Sequence, residues 1–131
     1  MTLYLSIEQV LHIHRVQIQR FGGSAGLRDR GAVEAAVARP QMTFGGEDLY
    51  PELAAKAAAL MHSLVVMNHP FVDGNKRVGA HATLLFIRVN GMQPLIAAEE
   101  LTEVTLSVAR GELSAEALAI WLRQRLRPEE T

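Results

Sequence analysis

Residues 53–91 read LAAKAAALMHSLVVMNHPFVDGNKRVGAHATLLFIRVNG. Two apolar runs, each long enough for a helix, flank a polar insert between His69 and Arg77. The first run is rich in alanine, the strongest helix former. It predicts a helix from about 51 to 68, with Pro51 in its first turn and Leu53, Leu60, Leu64 and Met67 among its buried positions. The second run predicts a helix from Asn75 to a C-cap at Asn90-Gly91. Val78, Ala82, Leu84, Leu85, Phe86, Ile87 and Val89 make it apolar nearly all round, the pattern of a central, buried helix. Gly79 and Ala80 permit a neighbour to approach it closely. Apolar periods of this helical kind point to an all-α fold class.

Periods on either side agree. Ser6-Ile7-Glu8-Gln9 has the form of a capping box and predicts a first helix to about Gln19, ended by Gly22-Gly23. The linker SAGLRD leads to a short helix over 31–39, stopped by Pro40. Two more helices are predicted over about 98–110, closed by Gly111, and 114–126, capped by Ser114 and closed by Pro128. Strand-like alternation is nearly absent. QMTFGGEDLY, residues 41–50, is read as either a hairpin-like flap or an irregular loop. The expected architecture is a compact bundle of about six helices, with a short flap before the third long helix, forming a single domain over 1–131.

Composition narrows the function classes. With 49% hydrophobic and 21% charged residues the chain of 131 has ordinary globular content and enough length for a core. A net charge of −1 provides no global basic field, so direct nucleic-acid binding is not expected. The absence of cysteine removes disulfides, thiol catalysis and cysteine metal sites. The N-terminus lacks the order of a signal peptide, and the apolar run 53–67 is too short to span a bilayer. A cytoplasmic protein without membrane partners is expected.

The polar insert carries the chemistry. Pro70 ends the preceding helix, and Phe71 and Val72 are natural anchors into the core. Asp73-Gly74-Asn75 turns the chain, and the next helix opens with free amides beside Lys76 and Arg77, which together make an anion site. Imidazole titrates near neutral pH, which suits His69 to general-base work. Asp73 is a hard oxygen ligand suited to Mg²⁺. Asn75 is suited to bonding a phosphate oxygen or capping the helix, Arg77 to two-point phosphate contact, and Lys76 to acting as a point charge. Each residue alone also has a structural explanation: a helix-capping histidine, a turn, two solvated cations. Their concentration between two buried helices favours transfer of a phosphate-containing group to a hydroxyl. A His62–His69–Asp73 metal site of a hydrolase is the weaker alternative, since no further ligand sits on an adjacent turn. His12 and His14 lie two apart on a helix and cannot face one metal. His14 is read as a core-edge residue, His81 as packing or loop support, and Trp121 as a core anchor.

His69-Pro70-Phe71-Val72-Asp73-Gly74-Asn75-Lys76-Arg77 resembles, in full, the motif H-x-F-x-[D/E/N]-[G/A]-N-x-R of the Fic/Doc family. IQRFGGSAGLRDRGAVEAAVARP and LLFIRVNG resemble the death-on-curing branch of that family. AMP-transferring members carry Gly where Lys76 stands and Arg where Ala80 stands; the death-on-curing branch carries Lys at the position of Lys76. The resemblance implies a small all-α toxin that transfers the γ-phosphate of ATP to a protein hydroxyl, with elongation factor Tu the associated target and inhibition of translation the outcome. It implies His69 as base, Asp73 on Mg²⁺, and Gly74, Asn75, Lys76 and Arg77 on the phosphates. It also implies a cognate antitoxin whose tail covers the active-site groove, and a flap that aligns the target segment. The alternatives are an AMP transferase of the same fold and a non-catalytic, antitoxin-binding member. Thr43–Glu47 matches the inhibitory pattern [S/T]-x-x-x-E by letter, but Gly45-Gly46 speaks against a helix there.

Overall fold

The computed structural model describes residues 1–130. Six α-helices form the bundle: α1 (Ile7–Phe21), α2 (Arg30–Ala38), α3 (Leu53–His62), α4 (Asn75–Val89), α5 (Ala98–Ala109) and α6 (Ala115–Arg123). Local chemistry starts several of them. Ser6 accepts from the Gln9 amide while the Gln9 side chain returns to the Ser6 amide, the reciprocal capping box read from sequence. Asp29 and Ser114 accept from the amides of Gly31 and Ala117 at the starts of α2 and α6.

Helix α3 is the hub, packed between α4 and α6, and α4 also meets α1 and α5. Leu60, Met61, Leu64, Phe71, Val78, Phe86, Ile87, Leu118 and Leu122 are fully buried there. Each such side chain contributes on the order of 1.5–3 kcal/mol by leaving water. The close approach expected at Gly79 occurs: a Cβ there would collide with Val65 Cγ2. The N-terminal segment is tied down by Asn90, whose side chain accepts from the Leu3 amide at 2.8 Å and donates to the Leu3 carbonyl at 2.9 Å.

Four short strands depart from the all-helical reading without changing the class. β1 (Thr43–Phe44) and β2 (Glu47–Asp48) pair antiparallel around Gly45-Gly46, both at positive φ (61° and 83°), so the flap is a hairpin and Thr43–Glu47 is not helical. Its base is anchored inside the molecule, where buried Lys56 donates to Asp48 Oδ2 at 3.2 Å and to the Pro40 carbonyl at 3.4 Å. β3 (Met92–Pro94) pairs with β4 (Leu126–Pro128). This pairing ends α6 at Arg123 rather than near 126, and buries Leu126.

Two further corrections concern the first core helix. Pro51 lies outside it, with Glu52 as N-cap. The helix gives way at Ser63–Met67 to a π-helical turn, in which the Asn68 amide donates to the Ser63 carbonyl at 2.8 Å. The extra residue per turn rotates the chain, so Met67, expected in the core, is exposed. Trp121 is half-buried at the core's edge, its ring face 4.0 Å from the Arg125 guanidinium carbon. Among the described residues no helix is long and apolar enough to cross a membrane.

Candidate active site

The π-helical turn delivers the chain to His69, and α4 leaves from Asn75. Between them the loop is fixed from three directions. From within, Phe71 is buried and its amide and carbonyl both bond Asn75: Oδ1 accepts from Phe71 N at 3.0 Å, and Nδ2 donates to Phe71 O at 2.8 Å. From α1, the buried His14 ring stacks on Phe71 at 3.8 Å between centroids and 7° between planes, with Nε2 3.0 Å from the Asp73 carbonyl, which accepts its proton. From outside, the α1–α2 linker runs antiparallel to the loop. The amides of Arg28 and Asp29 donate to Pro70 O, the Val72 amide donates to Gly26 O, and Leu27 bridges to Phe71. The Ser24 amide donates to Asp73 Oδ2 at 3.3 Å.

Two glycines make this fit. Gly74 sits at φ 85°, a left-handed turn that aims the chain into α4. Gly23, at φ 110°, lies so close to Asp73 that a Cβ would collide with its carboxylate.

The result is a pocket of about 350 Å³ lined by His69, Val72, Asp73, Gly74, Asn75, Lys76 and Arg77. Every residue assigned a role from sequence therefore borders one cavity. No side chain caps α4, and the amides of Asn75, Lys76 and Arg77 have no acceptor among the described residues. Those amides, at the positive end of a fifteen-residue helix beside two cations, are suited to an anion.

Individual roles are sharper than the sequence allowed. The Asn75 side chain is buried and committed to the Phe71 backbone, so it staples the loop instead of reaching for a phosphate. Its Nδ2 also lies 3.4 Å from His69 Nδ1, which turns that edge of the ring inward; the contact is too long to fix the tautomer. Arg77 reaches toward the C-terminal end of α1, donating to Gln17 O at 3.5 Å and Gly22 O at 3.3 Å, with the Phe21 ring beneath it. Lys76 is exposed. Asp73 Oδ1 accepts from the Gly74 amide at 2.9 Å, leaving the exposed carboxylate with lone pairs to spare. One carboxylate beside an anion cradle fits Mg²⁺ that arrives with phosphate oxygens and keeps its waters. No group of three acidic, histidine or cysteine side chains among the described residues is placed to hold a metal, so the His62–His69–Asp73 site does not form.

Lys76 and Arg77 also border a second cavity, an apolar groove of about 460 Å³ between α4 and α5, walled by Ala80, Leu84, Ile96, Leu101 and Leu106. His81 stands on its rim, held below the ordinary imidazole pKa by partial desolvation, and further by the cations Arg20 and Arg88.

The sequence missed His14, Ser24 and Arg28. The sequence places His14 at the core's edge, whereas it lies buried under the loop. The linker SAGLRD reads as a connector because its pairing partner is some forty residues away; Gly26 is the one local sign of close approach, since a Cβ there would meet Val72 Cγ2 at 2.9 Å.

The sequence is similar to known proteins over most of its length. The model of the Fic/DOC family matches residues 4–87. The chain is 50% identical over 93 residues to "Toxin Doc" of Mycolicibacterium smegmatis, covering 71% of this chain and 68% of that protein. It is 33% identical over 121 residues to "Protein kinase doc" of Escherichia phage P1, covering 92% and 94%.

Proposed function

The chain belongs to the Fic/DOC family, and on that premise we propose that it is a Doc-like toxin that transfers the γ-phosphate of ATP to a hydroxyl of a protein target. The observation that carries the proposal is the shared pocket: a histidine and the unfilled amides of a helix N-terminus border the same cavity. The name of the phage relative, a protein kinase, points the same way.

His69 takes the proton of the acceptor hydroxyl. The oxygen attacks the γ-phosphorus, the bond from that phosphorus to the β–γ bridging oxygen breaks, and ADP leaves. The amides of Asn75, Lys76 and Arg77, with the Lys76 ammonium, hold the phosphates in line; positioning and charge stabilisation are most of what such a transfer needs. Asp73 would hold Mg²⁺, which supplies neutralisation of the phosphate oxygens when bound. Lys76 in place of glycine, and Ala80 in place of arginine, favour phosphate over AMP transfer: Ala80 lines the apolar groove, where it offers no second guanidinium beside Arg77.

Elongation factor Tu is the proposed target and arrest of translation the proposed outcome, in the cytoplasm. A cognate antitoxin restrains the toxin by laying an amphipathic tail along the α4–α5 groove, which begins at Lys76 and Arg77 and offers the apolar surface such a tail needs. The decisive test uses α-labelled and γ-labelled ATP with elongation factor Tu. Label from the γ position alone supports phosphotransfer; label from the α position makes the protein an AMP transferase. Growth inhibition undiminished by His69→Ala would make it a binding protein.

A further inference from the structure

We propose that Arg28, in the α1–α2 linker, is the positioning residue of the site: its guanidinium holds the backbone of His69 in a left-handed conformation and so sets where the imidazole stands. The inference rests on the base role given to His69 above.

His69 is the single non-glycine residue at positive φ (47°) among those described. Its own sequence does not favour this. A residue before proline is pushed out of the right-handed helical region toward extended backbone, and a Cβ disfavours the left-handed one. Something outside the local chain must hold it, and Arg28 is placed to do so. Its Nε donates to the His69 carbonyl at 2.9 Å, and Nη2 donates to the same oxygen at 2.6 Å and to the Asn68 carbonyl at 2.5 Å. These are the carbonyls left without partners where the π-helical turn ends. The backbone of Arg28 holds the far side as well, its amide donating to Pro70 O at 2.8 Å. One residue therefore grips the peptide units on both sides of His69.

Nothing else in the structure accounts for this arginine. It forms no ion pair with a described carboxylate, and it is exposed, so it does not serve the core. Its planar fork suits two adjacent carbonyls in a way that a lysine's point charge does not.

The test compares wild type with Arg28→Gln and Arg28→Lys. The NMR one-bond Cα–Hα coupling of His69 reports the sign of φ, and γ-phosphate transfer is measured on the same samples. The expected result is a positive φ in wild type and an extended His69 in Arg28→Gln, with kcat reduced about 10- to 100-fold and KM for ATP nearly unchanged. Added guanidinium ion should restore part of the rate. Arg28→Lys, which keeps the charge, should fall between the two, and it decides the question by the same coupling if the glutamine variant does not fold. A left-handed His69 with full activity in either folded variant overturns the inference. If wild type transfers no phosphate, the functional proposal fails, while the coupling still shows whether Arg28 governs His69.

Discussion

At the scale of single residues, Gly23, Gly74 and Asn75 show how little latitude the loop has. Gly74 needs its positive φ but has room for a methyl group, the nearest atom to an added Cβ being Ile18 Cδ1 at 3.5 Å. Gly74→Ala should therefore cost only the left-handed strain of one residue, about 1–2 kcal/mol. Gly23 has both a positive φ and no room, because its Cβ would occupy the place of the Asp73 carboxylate. Gly23→Ala should cost a similar left-handed strain in urea unfolding and, by pushing the exposed Asp73 carboxylate out of place, should also lower Mg²⁺-dependent phosphotransfer. Asn75→Ala would strip the buried Phe71 amide and carbonyl of their partner. We expect a loss of about 1–3 kcal/mol for each group left unpaired, measured by thermal or urea unfolding. The motif residues were legible because their chemistry lies in nine consecutive positions. Asn75's structural task was not, because a phosphate ligand and a loop staple call for the same side chain.

At the scale of elements, the capping box of α1 and the glycine-rich ends were readable because caps are local in sequence. The π-helical turn was not, since one extra residue in a turn changes which face Met67 meets without changing any residue type. Strands β3 and β4 escaped for a different reason: three residues each, far apart in sequence, leave no alternation to detect. The crossing of α4 over the π turn yields a direct prediction. Gly79→Ala would press a methyl group into Val65 and should destabilise by roughly 1–3 kcal/mol. His81 on α4 gives a pH dependence. Partial desolvation and the charges of Arg20 and Arg88 lower its pKa in the fold from 6.5, so the unfolded chain binds the proton more readily. Its contribution to stability is fully present above pH 6.5 and is lost as pH falls through the lowered folded value. His81→Gln should flatten that part of the stability–pH curve relative to wild type, as followed by urea unfolding at a series of pH values.

At the scale of the whole molecule, the site is assembled from α1, the α1–α2 linker, the π turn and α4, and no single element holds it. The fold class followed from helical periodicity. The site's outer layer did not, because the linker's pairing with residues 69–73 is a tertiary fact. In the proposed mechanism the first turn of α4 and His69 address the same phosphate. Its most direct test is a crystal structure with Mg²⁺ and a non-hydrolysable ATP analogue. The γ-phosphate should lie on the amides of residues 75–77, as the phosphate group nearest the His69 ring. An α-phosphate in that position, or a nucleotide bound away from α4, would contradict the mechanism.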